Sequence, residues 1–233
     1  MGAIVATTDG RIRVITIHNE EKRNAVSREM ERPLLDAFEA ADSDPAVKVV
    51  ILTGAGDKAF CSGHDLTQLS TKGITPDPMG HPALMKKPII AAINGHCHAA
   101  GLMMAICADI RVASDNAGFG FPAAKLGQMA MGGQVWRLSA LMGRGRAIEV
   151  MLTGEMVTAK QALDLGLVTH LVPAGQALAR AKEIAAKLAL NSSASMQAIK
   201  SGFKRIETEG PKDFHLFERQ LQDELMRGPD AKE

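Results

Sequence analysis

Residues 88–110 read PIIAAINGHCHAAGLMMAICADI, and this stretch decides the fold. Up to Ile93 it is a short apolar segment after a proline, which is typical of a strand buried on both faces. From Ala99 onward the apolar spacing favours a buried helix. Between them, residues 94–101 form a turn of small residues, over which a ligand can approach the backbone closely. Such a turn leaves unpaired N–H groups at the helix start, where an oxyanion can bind. The alternative for this stretch alone is a tight turn whose small residues serve packing.

A second stretch upstream has the same character. Residues 60–66 read FCSGHDL; they follow a predicted strand at 47–53 and place Gly63 beside free backbone donors. Two bends of this kind favour a ligand site over packing alone.

Taken together, the two bends resemble the crotonase superfamily, the enoyl-CoA hydratase/isomerase family. The likeness runs nearly the whole length and rests on the order and spacing of several short motifs. These are KRNAVS at 22–27, VVILTG at 49–54, SGHDL at 62–66, the stretch 87–101, ADIR at 108–111, FGFPAAKLG at 119–127 and the segment 152–168.

The resemblance implies an α/β fold, a crotonase-like spiral of repeated β-β-α turns with a C-terminal helical trimerisation segment. Residues 1–172 would form the spiral core with the acyl-CoA site, and residues 173–233 the C-terminal helical segment. Pro173 and Gly175 mark the boundary between them. The segment implies a homotrimer or a dimer of trimers.

Hydrophobic periodicity and capping residues predict the main elements. Strands are expected at 11–18 and 47–53, and an irregular loop at 67–82. Helices are expected behind Ser27, at 134–142, at 146–152, at 158–165 with Thr158 as cap, and at 177–190, 193–206 and 213–226.

Composition excludes several classes of function. The 27 basic and 26 acidic residues give no field that favours nucleic acid or an anionic membrane. No apolar run is long enough to span a bilayer, and no leader is evident, so we expect a cytoplasmic protein. Three cysteines without metal-ligand spacing indicate reduced thiols. The His96-Cys97-His98 sequence lacks a third ligand, so no metal site is predicted.

The resemblance implies that the backbone N–H groups of His64 and Ala100 form an oxyanion hole for a thioester carbonyl. Losing one such donor costs about 2.7–4 kcal/mol of transition-state stabilisation. Because alanine replaces the usual glycine at position 100, its backbone φ must be negative.

The largest departure from the family pattern concerns its two glutamates, which deliver water across the double bond of an enoyl thioester. Their positions hold Met103 and Ala123, which cannot move a proton. The usual hydration route is therefore closed. His98 is a candidate base beside the oxyanion turn, and His64 is a weaker one. Asp65 is interpreted first as a cap or as a residue that fixes the loop.

Relatives bind CoA near the first helix and after the first oxyanion turn. Carried over by residue, these positions are Arg23, Ala25, Val26, Ser62, Asp65 and Leu66. No cofactor is expected beyond the CoA of the substrate.

Three hypotheses follow. The leading one is an acyl-CoA lyase or isomerase of fatty acid metabolism, which stabilises a thioester enolate and performs decarboxylase- or isomerase-type chemistry. The second is a non-catalytic acyl-CoA-binding protein. The third, a scaffold whose oligomer surface matters more than its pocket, rests on fold analogy alone.

Overall fold

The structure is a computed structural model that describes residues 2–65, 77–209 and 214–228. The strands in these ranges are β1 (Ala3–Asp9), β2 (Ile12–His18), β3 (Val49–Gly54), β4 (Ala59–Cys61), β5 (Ile89–Ile93), β6 (His96–His98), β7 (Ile110–Ser114), β8 (Gly118–Gly120), β9 (Val157–Thr158) and β10 (His170–Val172). The helices are α1 (Arg28–Ser43), α2 (Ala99–Ile106), α3 (Gln134–Met142), α4 (Arg144–Thr153), α5 (Ala159–Asp164), α6 (Ala177–Ala189), α7 (Ser193–Glu209) and α8 (Phe214–Arg227).

The strands form two sheets. The larger has the order β1-β2-β3-β5-β7-β10, and the smaller β4-β6-β8-β9. Pairs of consecutive strands, β3 with β4, β5 with β6 and β7 with β8, each send their first strand to the larger sheet and their second to the smaller one. Strands β2, β3, β5, β7 and β10 pair in parallel, as do β4, β6 and β8. This confirms the predicted α/β spiral of β-β-α turns.

The hydrophobic core lies on both sides of the larger sheet. Strand β3 is buried at every position, as its unbroken apolar sequence predicts. On one side it packs with α1 and α2, whose apolar stripes include Leu34, Phe38 and Leu102. On the other side α6 approaches closely because Ala177, Ala181 and Ala185 share one small-residue face. The division at residues 172 and 173 stays a prediction, and α6, which follows it, packs against the sheet.

Most predicted elements are present. Helix α3 has the predicted bounds, and α5 begins with a capping box in which Thr158 and Gln161 exchange hydrogen bonds. Helix α1 follows Ser27, although that side chain makes no capping hydrogen bond. Most of the predicted loop at 67–82, and position 213, lie outside the described residues.

Two expectations need correction. The turn at 94–101 contains strand β6, because the backbone of these residues pairs with β4 and β8. Strand β1 was not predicted; it lies at the sheet edge and pairs only with β2, so its residues are largely exposed and lack a buried alternating pattern. Among the helices of the described ranges, none has the length and apolar character needed to cross a bilayer.

Two buried asparagines fix strand β4. The Asn24 amide donates to the carbonyl oxygens of Ala59 and Ala55 at 2.7 and 2.9 Å. The Asn94 amide donates to Gly56 and Ala59 at 2.7 and 3.2 Å, and its oxygen accepts from the Gly54 N–H at 3.2 Å. Both amides therefore converge on Ala59, at the start of the strand that leads into the SGHDL bend.

Replacing Asn94 with alanine should lower the free energy of unfolding by about 1–3 kcal/mol, because it leaves buried backbone groups without a partner. The measurement is urea unfolding followed by circular dichroism. The matched control is Asn116→Ala, which removes a single exposed amide that donates to Asp57 at 3.0 Å. The control should change stability by no more than about 0.5 kcal/mol. Equal losses in both variants would contradict a special role for Asn94.

Candidate active site

The end of β4 and the start of α2 are in direct contact. Gly101 faces the carbonyl group of Cys61 so closely that a Cβ would overlap its oxygen. Gly63, with φ of +103°, faces the first residues of α2, and a Cβ there would lie 3.2 Å from the Ala100 nitrogen. The two glycine-containing bends therefore form one site, although Gly63 and Gly101 are 38 residues apart in the sequence.

His64 carries the first candidate donor. It forms a parallel bridge with Val26, in which the Val26 N–H donates to Gly63 at 2.8 Å and the Asp65 N–H donates to Val26 at 3.0 Å. In such a bridge the flanking residues make the hydrogen bonds, so the His64 N–H is directed away from Val26. Within the described ranges this N–H donates to no other residue.

Ala100 carries the second candidate donor. It is the second residue of α2, and the first N–H groups of a helix have no partner inside the helix. Positive φ occurs at Ala99, at 49°, and not at Ala100, so the requirement for a negative φ at position 100 is met. An L-residue in this left-handed region costs about 1–2 kcal/mol. The backbone strain thus lies immediately before the candidate donor.

No proton-transferring group stands at either family glutamate position. Met103 lies one helical turn after Ala100, is buried, and packs so tightly on Gly132 that a Cβ there would overlap its sulfur. Ala123 directly precedes a single turn of 3₁₀ helix at Ala124–Leu126. The side chains at these two positions are thus a thioether and a methyl group, neither of which transfers protons.

His98 lies at the junction of β6 and α2. Its ring packs over Gly120, with Cδ2 3.1 Å from the Cβ position, and its centroid is 5.4 Å from that of His96. Its buried Nε2 has no hydrogen-bond partner among the described residues. Burial lowers the pKa of His98 below its ordinary value, and the nearby His96 and Arg23 lower it further. The imidazole is therefore neutral at neutral pH and able to accept a proton.

The predicted CoA residues are adjacent in space. The Ser62 N–H donates to the Arg23 carbonyl at 3.1 Å, and the Asp65 carboxylate, which is 5% exposed, pairs with Lys22 at 2.7 Å. This ion pair links the loop to the segment that precedes α1. The N–H groups of Ser62, Val26 and Asp65 already donate hydrogen bonds within the protein. Ala25 is buried beside this loop, and Leu66 lies outside the described residues.

The thiols are not candidates for nucleophilic chemistry. Burial raises the pKa of Cys61 to about 12 and that of Cys107 to about 11, and it raises that of Cys97 well above its usual value. Strand alternation sends Cys97 into the core, on the face opposite to that of His96 and His98. Within the ranges that the structure describes, no three potential ligand side chains form a metal site.

One polar residue of the site was missed from the sequence. Glu31 on α1 places its Oε1 3.6 Å from Nδ1 of His64. The available signal was its position on the apolar stripe of α1, where it precedes Leu34, Leu35 and Phe38 at helical spacing. A carboxylate on a core-facing stripe marks a site of polar interaction.

Two glycine-flanked bends that meet on a spiral of β-β-α turns define a protein of the crotonase fold. The family model described as enoyl-CoA hydratase/isomerase matches residues 7–233. The chain is 36% identical to the enoyl-CoA hydratase EchA19 of Mycobacterium tuberculosis, covering 96% of this chain and 88% of that protein. It is 31% identical to the 2,3-dehydroadipyl-CoA hydratase of Escherichia coli, covering 95% and 89%.

Solved structures give the same result. An enoyl-CoA hydratase from Mycobacterium tuberculosis superposes with a TM-score of 0.90 at 32% identity, covering 99% of this chain and 92% of that one. An enoyl-CoA hydratase from Bacillus anthracis superposes with a TM-score of 0.92 at 28% identity, covering 99% and 93%. This chain belongs to the enoyl-CoA hydratase/isomerase family of the crotonase superfamily.

Replacing Gly63 with alanine should lower the free energy of unfolding by about 1–3 kcal/mol, because an L-residue is strained at this φ. The new methyl group would also press on the Ala100 nitrogen. The control is Gly145→Ala in α4, where no atom lies within 4 Å of the Cβ position. The control should stabilise the protein by about 0.5–1 kcal/mol. Thermal unfolding measures both, and an unchanged Gly63→Ala variant would contradict the contact between the bends.

Proposed function

We propose that this protein binds an acyl-CoA thioester and stabilises the negative charge that develops on its carbonyl oxygen. The N–H groups of His64 and Ala100 are the two donors. The contact between Gly63 and the Ala100 nitrogen is the observation that supports the proposal most directly, because it brings the two bends together. Two relatives, an enoyl-CoA hydratase and a 2,3-dehydroadipyl-CoA hydratase, act on CoA thioesters by name, which supports such a thioester as ligand.

The two amides act on a transition state in which a bond at the carbon next to the carbonyl breaks. Its electron pair moves into the enolate, and the charge collects on the thioester oxygen. Preorganised backbone donors stabilise this charge by about 2.7–4 kcal/mol each. The largely buried surroundings, with Met103 and Leu102 on α2, strengthen this effect because they exclude water.

Decarboxylation and isomerisation are the reactions that such a site can support without the family glutamates. In decarboxylation of a malonyl-type thioester, carbon dioxide leaves, and the enolate that remains takes a proton from solvent. In isomerisation, a base such as His98 moves a proton from one carbon of the acyl chain to another. Both reactions use the oxyanion hole. The first would make the protein an acyl-CoA lyase and the second an acyl-CoA isomerase, in either case of fatty acid metabolism.

The alternative is a non-catalytic acyl-CoA-binding protein. The observation in its favour is that the bends are in contact while Met103 and Ala123 fill both glutamate positions. Under either reading, Arg23 with its exposed side chain and the segments around Ala25 and Ser62 would hold CoA, and no further cofactor is required. We keep the expectation of a cytoplasmic location.

The experiment is a panel of thioesters. We expect butyryl-, crotonyl-, 3-hydroxybutyryl- and methylmalonyl-CoA to bind, as measured by isothermal titration calorimetry. We expect no appreciable hydration of crotonyl-CoA, since the loss of each acid-base group costs roughly 10²–10⁴-fold. Turnover of methylmalonyl-CoA would identify a lyase. Binding without any turnover would identify a non-catalytic acyl-CoA-binding protein. Robust hydration, or no binding, would contradict the proposal.

A His98→Ala variant separates the two chemistries. Decarboxylation through the oxyanion hole alone should be nearly indifferent to it, whereas isomerisation through His98 should fall roughly 10²–10⁴-fold. The pKa of His98 is lowered from its ordinary value of 6.5, so the base is already neutral above that pH. Isomerisation should therefore be constant from pH 7 to 8 and decline only below pH 6.5. A decline that begins above pH 7 would exclude His98 as the base.

The expected homotrimer or dimer of trimers needs a surface, and α7 offers one. Ile199 and Phe203 are 63% and 67% exposed, beside a groove of about 630 Å³ that Arg111 also lines. Exposed apolar residues grouped on one face are typical of an interaction site.

We expect light scattering to give the mass of three or six chains. Phe203→Glu should shift this mass toward the monomer, because it would place a charge in an apolar contact. The control is Val5→Glu on the edge strand β1, where the residue is also exposed, and it should leave the mass unchanged. A monomeric wild-type protein would contradict the expectation.

A further inference from the structure

A buried carboxylate lies beside the residue that supplies the first oxyanion donor. The Glu31 side chain is 10% exposed, and its Oε1 is 3.6 Å from Nδ1 of the His64 imidazole, which is 31% exposed. Its neighbours on the same face of α1, Leu34, Leu35 and Phe38, are buried apolar residues of the core. Glu31 is thus a charged group at the inner end of an apolar stripe, directed at the bend.

Burying a carboxylate is unfavourable unless polar or cationic groups compensate for the lost hydration. An imidazole that can donate from Nδ1 provides such compensation, because its N–H can face the carboxylate oxygen. The arrangement is like that of a catalytic histidine oriented by a carboxylate. The carboxylate holds the proton on Nδ1 of the imidazole, so that Nε2 can exchange a proton with the substrate. A distance of 3.6 Å is longer than a hydrogen bond, and such contacts often shorten when substrate binds.

His98 lies in the opposite electrostatic setting. Its described neighbours His96 and Arg23 are basic, so they disfavour the imidazolium that forms when His98 accepts a proton. Its Nε2 has no hydrogen-bond partner among the described residues. The His64 imidazole, by contrast, faces the Glu31 carboxylate. Of the two histidines, it is therefore His64 whose ring a carboxylate can orient.

We propose that Glu31 and His64 form the proton-transfer pair of this site, with Glu31 orienting the imidazole and Nε2 of His64 exchanging a proton at C2 of the acyl chain. The inference rests on the proposed function, since the carbonyl oxygen must be held by the His64 and Ala100 amides. Nε2 takes the C2 proton, the C–H electron pair becomes the enolate double bond, and the oxygen carries the charge. Return of the proton regenerates the thioester, so no other reactant is consumed.

The backbone explains how one residue serves both purposes. A carbonyl oxygen bound to the His64 N–H places the carbonyl carbon, and with it C2, close to the Cα from which the imidazole extends. Glu31 comes from a different element, α1, which is anchored in the core by Phe38 and Leu34. His64 is then a catalytic residue, and Glu31 a positioning residue. Neither assignment uses the family glutamate positions.

The test is deuterium exchange at C2 of butyryl-CoA in D₂O, followed by proton NMR. The wild-type protein should exchange the C2 protons. His64→Ala keeps the backbone N–H and removes only the imidazole, so exchange should fall roughly 10²–10⁴-fold while butyryl-CoA still binds.

Variants of Glu31 test its role separately. Glu31→Gln should reduce exchange by at least about tenfold, and Glu31→Asp, which keeps the charge, should recover part of the rate. Glu29→Gln, an exposed change on the same helix, is the matched control and should have no effect. Thermal unfolding of each variant tests whether a reduced exchange rate is caused by a loss of fold.

The outcomes distinguish the inference from the proposed function. If butyryl-CoA does not bind to the wild-type protein, the proposed function fails. If it binds and C2 does not exchange, or if His64→Ala or Glu31→Gln exchanges at the wild-type rate, the pair is overturned and the binding function stands. Loss of exchange in His98→Ala alone would assign the base to His98.

Discussion

A backbone contact that excludes side chains, between the end of β4 and the start of α2, is the constraint on which the site depends. A Cβ at Gly101 would overlap the Cys61 carbonyl oxygen, and one at Gly63 would press on the Ala100 nitrogen. Because the two segments touch directly, an N–H from each can face the same ligand atom. Backbone donors do not depend on side-chain identity, so the contact can persist while the residues around it change.

The surrounding structure holds these two segments in place. The amides of Asn24 and Asn94 converge on Ala59 and fix the start of β4, and the parallel bridge between Val26 and His64 fixes its continuation. The Lys22–Asp65 ion pair closes the same loop. The strain at Ala99, whose φ is +49°, is therefore supported by hydrogen bonds on the neighbouring segment.

The sequence predicted the parts of the fold in which periodicity and composition are strong, such as β3, β5, α2 and α3. It predicted less well where tertiary pairing decides, because the three residues of β6 become a strand only through their neighbours β4 and β8. The site bends were predictable because glycine and small residues mark close approaches. The Glu31–His64 contact was not predictable, because the two residues are 33 positions apart in the sequence and meet only through the packing of α1.

The proposed function requires that the His64 and Ala100 amides share one thioester oxygen. A crystal structure with a bound, unreactive acyl-CoA analogue tests it most directly. We expect the carbonyl oxygen at roughly 2.7–3.1 Å from both nitrogens. An oxygen bound to neither nitrogen, or a site in which the two N–H groups face apart, would contradict it.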